Sequence, residues 1–184
     1  MLNRLFANTG YVLFVAATWT ALFHLNGFFF NASEISPFVS LIFLPAVLRP
    51  VAVLLFGLPG AIGLILGAAL TTPITLAPNY VTALMIVSNG IVAWGVFKLM
   101  RQSSAYRTQL TADMAGLTLR TIVVFAALTA LASSTTNTFL ISLSQDLSSS
   151  SGLLLSMFAG DAIGTMLMLY LLSIFSPMVS KHVK

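Results

Sequence analysis

Six apolar stretches, at roughly 8–29, 37–56, 58–73, 79–100, 113–134 and 152–176, take up most of this 184-residue chain. A helix needs about 17–25 apolar residues to cross a hydrocarbon core about 30 Å thick, and all but the third stretch reach that length. Charged residues make up only 7% of the sequence, against about 25% in soluble domains, too few to cover a water-exposed surface. With a mean hydropathy of +1.01, the chain reads as an integral membrane protein whose first partner is the lipid bilayer. No stretch alternates as a barrel strand does, and helices are the other structure that satisfies the backbone in lipid. The expected fold is therefore all-α: a single domain over 1–184, built as a six-transmembrane-helix bundle. Only Gly57, Leu58 and Pro59 divide the second stretch from the third. That pair reads as two full spans or as one tight, partly re-entrant hairpin with proline kinks.

Lys and Arg in short loops set orientation. With both termini cytoplasmic, Arg4, Lys98, Arg101, Arg107, Lys181 and Lys184 gather on one side, and Glu34, the TTPITLAPN loop and Asp146 on the other. An even number of spans is needed for this, and a bacterial cytoplasmic membrane is the expected location. The first stretch reads as a retained span, because its apolar run is long and no small-residue cleavage site precedes Glu34. The Ser/Thr-rich segment 133–152 reads as the outer loop with a short interfacial helix. The net charge of +4 is explained by this topology, so no nucleic-acid partner is expected. Without cysteine, disulfides and thiolate metal sites are excluded.

Three charges then remain at membrane depth: Arg49, Arg120 and Asp161. Each costs at least about 2.5–3.5 kcal/mol near a helix centre, so such residues face protein, water or an opposite charge. At a rise of about 1.5 Å per residue, Arg49 lies about 18 Å below the outer end of its stretch and Asp161 about 13 Å below. Arg120 comes from the inner side and lies about 10 Å above its inner end. An ion pair of Asp161 with Arg49 or Arg120 is available, with Arg49 the expected partner and the second and sixth spans adjacent. The bland alternatives are arginines that snorkel to the headgroups and an acid that is neutral or only fixes helix register. Two inward arginines against one carboxylate would suit a small polar or anionic ligand, since Arg pairs bidentately with carboxylate and phosphate. Asn89, about 15 Å into the fourth stretch, joins the candidate ligand-binding set or serves as interhelical glue. His24 and Asn26 read as interfacial, and Trp19 and Trp94 as interface anchors or pocket walls.

Small residues mark close helix approach. Gly160 and Gly164 flank Asp161 as a GxxxG pair, and Gly63 and Gly67 form another, with Gly60 on nearly the same face. Pro45 and Pro50 bracket Arg49 and read as kinks that free backbone carbonyls. No HExxH, GxSxG or P-loop occurs, and the chain holds only four acidic residues. Neither catalysis, nor a metal, nor a cofactor is expected.

SPFVSLIFLPAVLRPVAVLLFGLPGAIGLILGAAL, SNGIVAWGVFKLMRQ and AGDAIGTMLMLYLLSIF together resemble the membrane-associated sensor domain family of the first type (MASE). The likeness spans roughly residues 35–176, and the Gly-Asp-Ala-x-Gly block, Gly160 to Gly164, is its most specific part. The sequence departs from that pattern at Leu44, Val47 and Arg49–Pro50. The resemblance implies a sensory or scaffold role, exercised through a signalling partner because the chain carries no output domain. A six-span chain with a Gly-rich third helix also looks like the substrate-binding subunit of an energy-coupling-factor vitamin transporter, whose first helix docks through small residues such as Ala16, Ala17 and Ala21. A small accessory subunit of a larger membrane complex is the third reading.

Overall fold

The structure, a computed structural model, describes residues 2–30, 34–36, 39–40, 42–72, 80–110, 117–143 and 150–180. Asp146, Lys181, Lys184 and the loop at 73–79, all used above for orientation, lie outside the described residues. Among the described residues the chain forms six α-helices: α1 Leu2–Phe30, α2 Leu48–Phe56, α3 Leu58–Thr71, α4 Tyr80–Gln102, α5 Leu119–Ser142 and α6 Ser150–Ser180. A small antiparallel ribbon, β1 Glu34–Ser36 with β2 Val39–Ser40, and a 3-10 turn at Leu44–Val47 precede α2.

Among the described residues, three helices are long and apolar enough to cross a membrane, within Phe6–Phe30, Tyr80–Gln102 and Leu119–Ser142. Shorter apolar helices occupy Leu44–Phe56, Leu58–Thr71 and Leu154–Met168. The second expected span is the one that changes most. Within it Val39–Ser40 is strand, and helix begins only at Leu44. Pro45 sits in the first turn of the 3-10 helix and Pro50 in the first turn of α2. There a proline costs no hydrogen bond, because the first N–H groups of a helix have no partner. The prolines therefore mark helix starts and do not kink one continuous span.

α2 and α3, with 9 and 14 residues, are about 14 and 21 Å long, short of the roughly 30 Å core. They join at Gly57, whose φ of +59° is a conformation that only glycine adopts freely. Gly57 N–H closes α2 on the Val53 carbonyl at 2.9 Å, and its own carbonyl accepts from Ala61 N–H at 3.2 Å. Neither α2 nor α3 therefore reaches the length of a full span.

The ends of α5 also shift. Thr118 caps it by accepting the Thr121 N–H at 3.3 Å, so the helix begins at Leu119 and not near 113. It continues through 133–142, the first half of the expected outer loop. Ser134 and Thr135 donate to the carbonyls four residues back at 2.8 Å, and Ser142 to Phe139 at 2.7 Å. Hydroxyls that satisfy themselves on the helix cost little in a membrane.

Packing runs in a circuit: α1 against α3, α3 against α4, α4 against α5, α5 against α6, and α6 back to the 3-10 turn, which also touches α1. The short α2 touches α1, α3, α4 and α5, which puts it inside that circuit. Its residues Leu48, Arg49, Pro50, Ala52 and Val53 are buried. Close approach is set by small residues. A methyl at Gly63 would stand 2.7 Å from Val15 Cβ, and one at Gly67 2.7 Å from Trp19 Cβ, which explains how tightly α1 lies on α3.

Candidate functional site: a buried arginine clamp

Arg49 is the second residue of the inner helix α2, so its side chain has no route to water that avoids the bundle. It is 4% exposed and Asp161 of α6 is 7% exposed. Arg49 Nη1 donates to Asp161 Oδ2 in a buried ion pair, and Nε donates to Asn89 Oδ1 of α4 at 3.1 Å. Asn89 in turn donates from Nδ2 to the Met85 carbonyl at 2.9 Å, which fixes its amide with the oxygen toward Arg49. Three helices distant in sequence thus meet on one guanidinium.

Two aromatic rings lie beside that guanidinium, on the same side of it. Its Cζ lies 5.8 Å from the Trp19 ring centre and 5.5 Å from that of Phe43. The two rings pack edge to face at 6.0 Å and 71°. A cation over an aromatic face in a desolvated setting gains about 2 kcal/mol. Trp19 is held by its Nε1–H donating to Thr71 Oγ1 at 3.1 Å. Phe43 is held through its backbone, with N–H donating to the Gly160 carbonyl at 3.2 Å. Asn26 Oδ1 accepts the following amide, the buried Leu44 N–H, at 2.8 Å.

The small residues beside Asp161 now have a specific use. A methyl at Gly164 would collide with the Phe43 carbonyl and backbone. The GxxxG pair on α6 therefore receives the extended backbone of Phe43, just before the 3-10 turn, and not another helix, while Gly63 and Gly67 do receive helix α1.

Of the four expected ligand-binding residues, the structure brings together Arg49, Asn89 and Asp161. Arg120 is apart. Because α5 starts at Leu119, Arg120 falls in its first turn and is exposed, where solvent or headgroups can reach it. The expected excess of positive charge is therefore absent, and the described site holds one cation and one anion. Asn26 is buried, not interfacial, because Leu44 N–H needs an acceptor at a turn where no helical carbonyl reaches it. His24 is exposed. Trp19 lines the site, while Trp94 lies under Lys98 Nζ at 5.2 Å.

Sequence reasoning missed Phe43, Thr71 and the roles of Asn26 and Asn137. Ser88, next to Asn89, donates to Asn137 Oδ1 at 3.0 Å, joining α4 to α5. The signal available was the amide-bearing side chain inside an apolar stretch, which Asn26 and Asn137 share with Asn89. Nothing in the sequence pointed to Phe43.

A guanidinium has five N–H donors. Two are engaged here, and Asp161 Oδ2 is the carboxylate oxygen in use among the described residues. Among the described residues no three His, Cys, Asp or Glu side chains cluster as a metal site would require. No family model matches the chain, and neither a curated protein nor a solved structure matches it.

Proposed function

We propose that this chain is a multi-pass protein of the bacterial cytoplasmic membrane, with six helical segments and both termini inside, that senses a small polar ligand or scaffolds a signalling partner. The observation that carries this reading is the Arg49–Asp161–Asn89 constellation, walled by Trp19 and Phe43 and mounted on a helix too short to span. Irregular backbone at membrane depth is tolerated where it lies in protein or lines a cavity, and intramembrane charges mark functional sites by default. Because the pair is neutral overall, a polar ligand carrying both a donor and an acceptor suits it better than a simple anion. Ligand or partner state then acts on α2, which touches four other helices and so can pass a shift to each of them. The likeness to MASE-type sensor domains supports signal transduction, and the chemistry is binding and not catalysis.

The transport-subunit reading is favoured by one observation: of the three alanines Ala16 is buried, but Ala17 and Ala21 are exposed one turn apart on α1, as a docking face would need. Native mass spectrometry of detergent-purified protein separates the two. A co-purifying kinase or cyclase supports sensing, and a co-purifying ATPase pair supports transport. Asp161→Asn with Arg49→Gln should lose a bound small molecule that the wild type retains. If the double variant keeps that molecule, the site reading fails.

A further inference from the structure

Hydroxyls on the helices of this chain satisfy themselves on the backbone. Thr18, Thr20, Thr72, Ser134 and Thr135 each donate to the carbonyl four residues back at 2.8–2.9 Å. Thr129 and Ser133 of α5 do not. They are 1% and 3% exposed, and neither Thr129 Oγ1 nor Ser133 Oγ has a hydrogen-bond partner among the described residues. Thr129 lies about 15 Å along α5 from Leu119, near the middle of a hydrocarbon core roughly 30 Å thick. In a bilayer that depth holds no bulk water, and a buried hydroxyl without a partner loses the bonds it makes in water.

Two contacts show which way the pair faces. Phe125 packs on Phe97 of α4 with ring centres 6.0 Å apart, and Asn137 Oδ1 accepts from Ser88 of α4 at 3.0 Å. Phe125, Thr129, Ser133 and Asn137 follow one another at four-residue spacing, which keeps neighbours in that series on one side of the helix. Thr129 and Ser133 therefore fall on the α4 side of α5, between those two contacts. Over the same stretch α4 reads NGIVAWGV, residues 89–96. Asn89 is engaged with Arg49 and Met85. Apart from Trp94, which lies under Lys98 at 5.2 Å, the other side chains there carry no donor or acceptor.

We infer that Thr129 and Ser133 bind one buried water molecule, which bridges their two hydroxyls in the middle of α5. Residues four apart on a helix have Cβ atoms about 5–6 Å apart. Two O–H···O bonds of about 2.8 Å each span that distance, so one water reaches both hydroxyls. Helical carbonyls keep a second lone pair, which offers the water a third partner; buried waters make about three such bonds. Asn137, one turn beyond Ser133, bonds Ser88, the neighbour of Asn89 in the clamp. The water thus lies one turn along α5 from the residue that joins this helix to the clamp. The site stands on the hydroxyl pair alone and does not need a ligand at Arg49.

The test is water-edited solid-state NMR of the full chain in lipid bilayers. Magnetisation should pass from water to Thr129 and Ser133 faster than to Leu128 and Leu131, which are exposed on the same turns. Thr129→Val keeps the shape and removes one hydroxyl, so the transfer to Ser133 should be lost. Thr129→Ser keeps the hydroxyl and should retain that transfer. The unfolding temperature of Thr129→Val should fall by about 2–4 °C, the shift expected of one lost hydrogen bond in a chain of this size. Transfer to Thr129 and Ser133 no faster than to the two leucines overturns the site, as does transfer to Ser133 that persists in Thr129→Val. An unfolding temperature unchanged or raised in Thr129→Val overturns it too, because a hydroxyl that bonds nothing costs nothing to remove. Should Thr129→Val fail to fold, Ser133→Ala, read at Thr129, decides in its place.

Discussion

Arg49 and Asp161, 112 residues apart in the chain, form a buried ion pair at the point where α2, α4 and α6 converge. The pair is what ties the last helix to the inner one. Removing one partner of a buried pair strands the other charge and costs about 3–5 kcal/mol. Asp161→Asn should therefore lower expression and unfolding temperature sharply in detergent. The double variant Asp161→Asn, Arg49→Gln should recover most of the loss, since two neutral polar groups can hydrogen-bond. A double variant as unstable as the single one contradicts this assignment.

Asn89 contributes through geometry as well as polarity. Its oxygen meets Arg49 Nε at 3.1 Å because its amide nitrogen is tied to Met85. Asn89→Ala should destabilise by about 1.5–3 kcal/mol, the range for a hydrogen bond to a charged group. Arg49→Lys should cost a similar amount despite keeping the charge, because a lysine has no Nε fork to reach Asn89 and Asp161 together. Thermal unfolding of both variants checks this; an Arg49→Lys variant indistinguishable from wild type would falsify the fork.

The glycines divide into two groups with opposite expected responses. Gly60→Ala and Gly164→Ala push a methyl onto the carbonyls of Ala52 and Phe43, and should destabilise by about 1–3 kcal/mol as overpacking does. Gly95 has nothing within 4 Å of where a Cβ would stand, so Gly95→Ala should stabilise α4 by about 0.5–1 kcal/mol. Unfolding measurements on the three variants should differ in sign.

Asn26 is tested by substitution to Leu, which keeps bulk and removes the acceptor for Leu44 N–H. A buried amide left unpaired costs about 1–3 kcal/mol, and the loss should fall on the Phe43 segment that covers Arg49. Hydrogen exchange of the Leu44 amide should accelerate in Asn26→Leu. Unchanged protection there rules out the cap.

Orientation is open to labelling. Ser104 lies in the exposed α4–α5 connection and Ser142 at the far end of α5. In a chain without cysteine, Ser104→Cys should react only with reagent on the cytoplasmic side, and Ser142→Cys only from outside. Reaction of both from one side excludes a membrane-crossing α5.

The apolar stretches alone determined that the chain is helical and lipid-facing, because a charge content of 7% leaves no other solvent compatible with its surface. Depth arithmetic along those stretches also found Arg49, Asn89 and Asp161, since a polar side chain inside an apolar helix must meet something. Helix boundaries were another matter. A Ser/Thr-rich run looks like a loop until its hydroxyls are seen bonding back onto the helix, as Ser134 and Thr135 do. That shift of α5 carried Arg120 out of the site. The prolines around Arg49 could signal a kink or a start, and hydropathy does not distinguish them. Only tertiary packing decided that α2 is a short helix enclosed by its neighbours, that Phe43 and Trp19 cover its arginine, and that Gly164 makes room for a bare backbone. Those outcomes depend on contacts between residues far apart in the chain, which periodicity, a local property, does not contain.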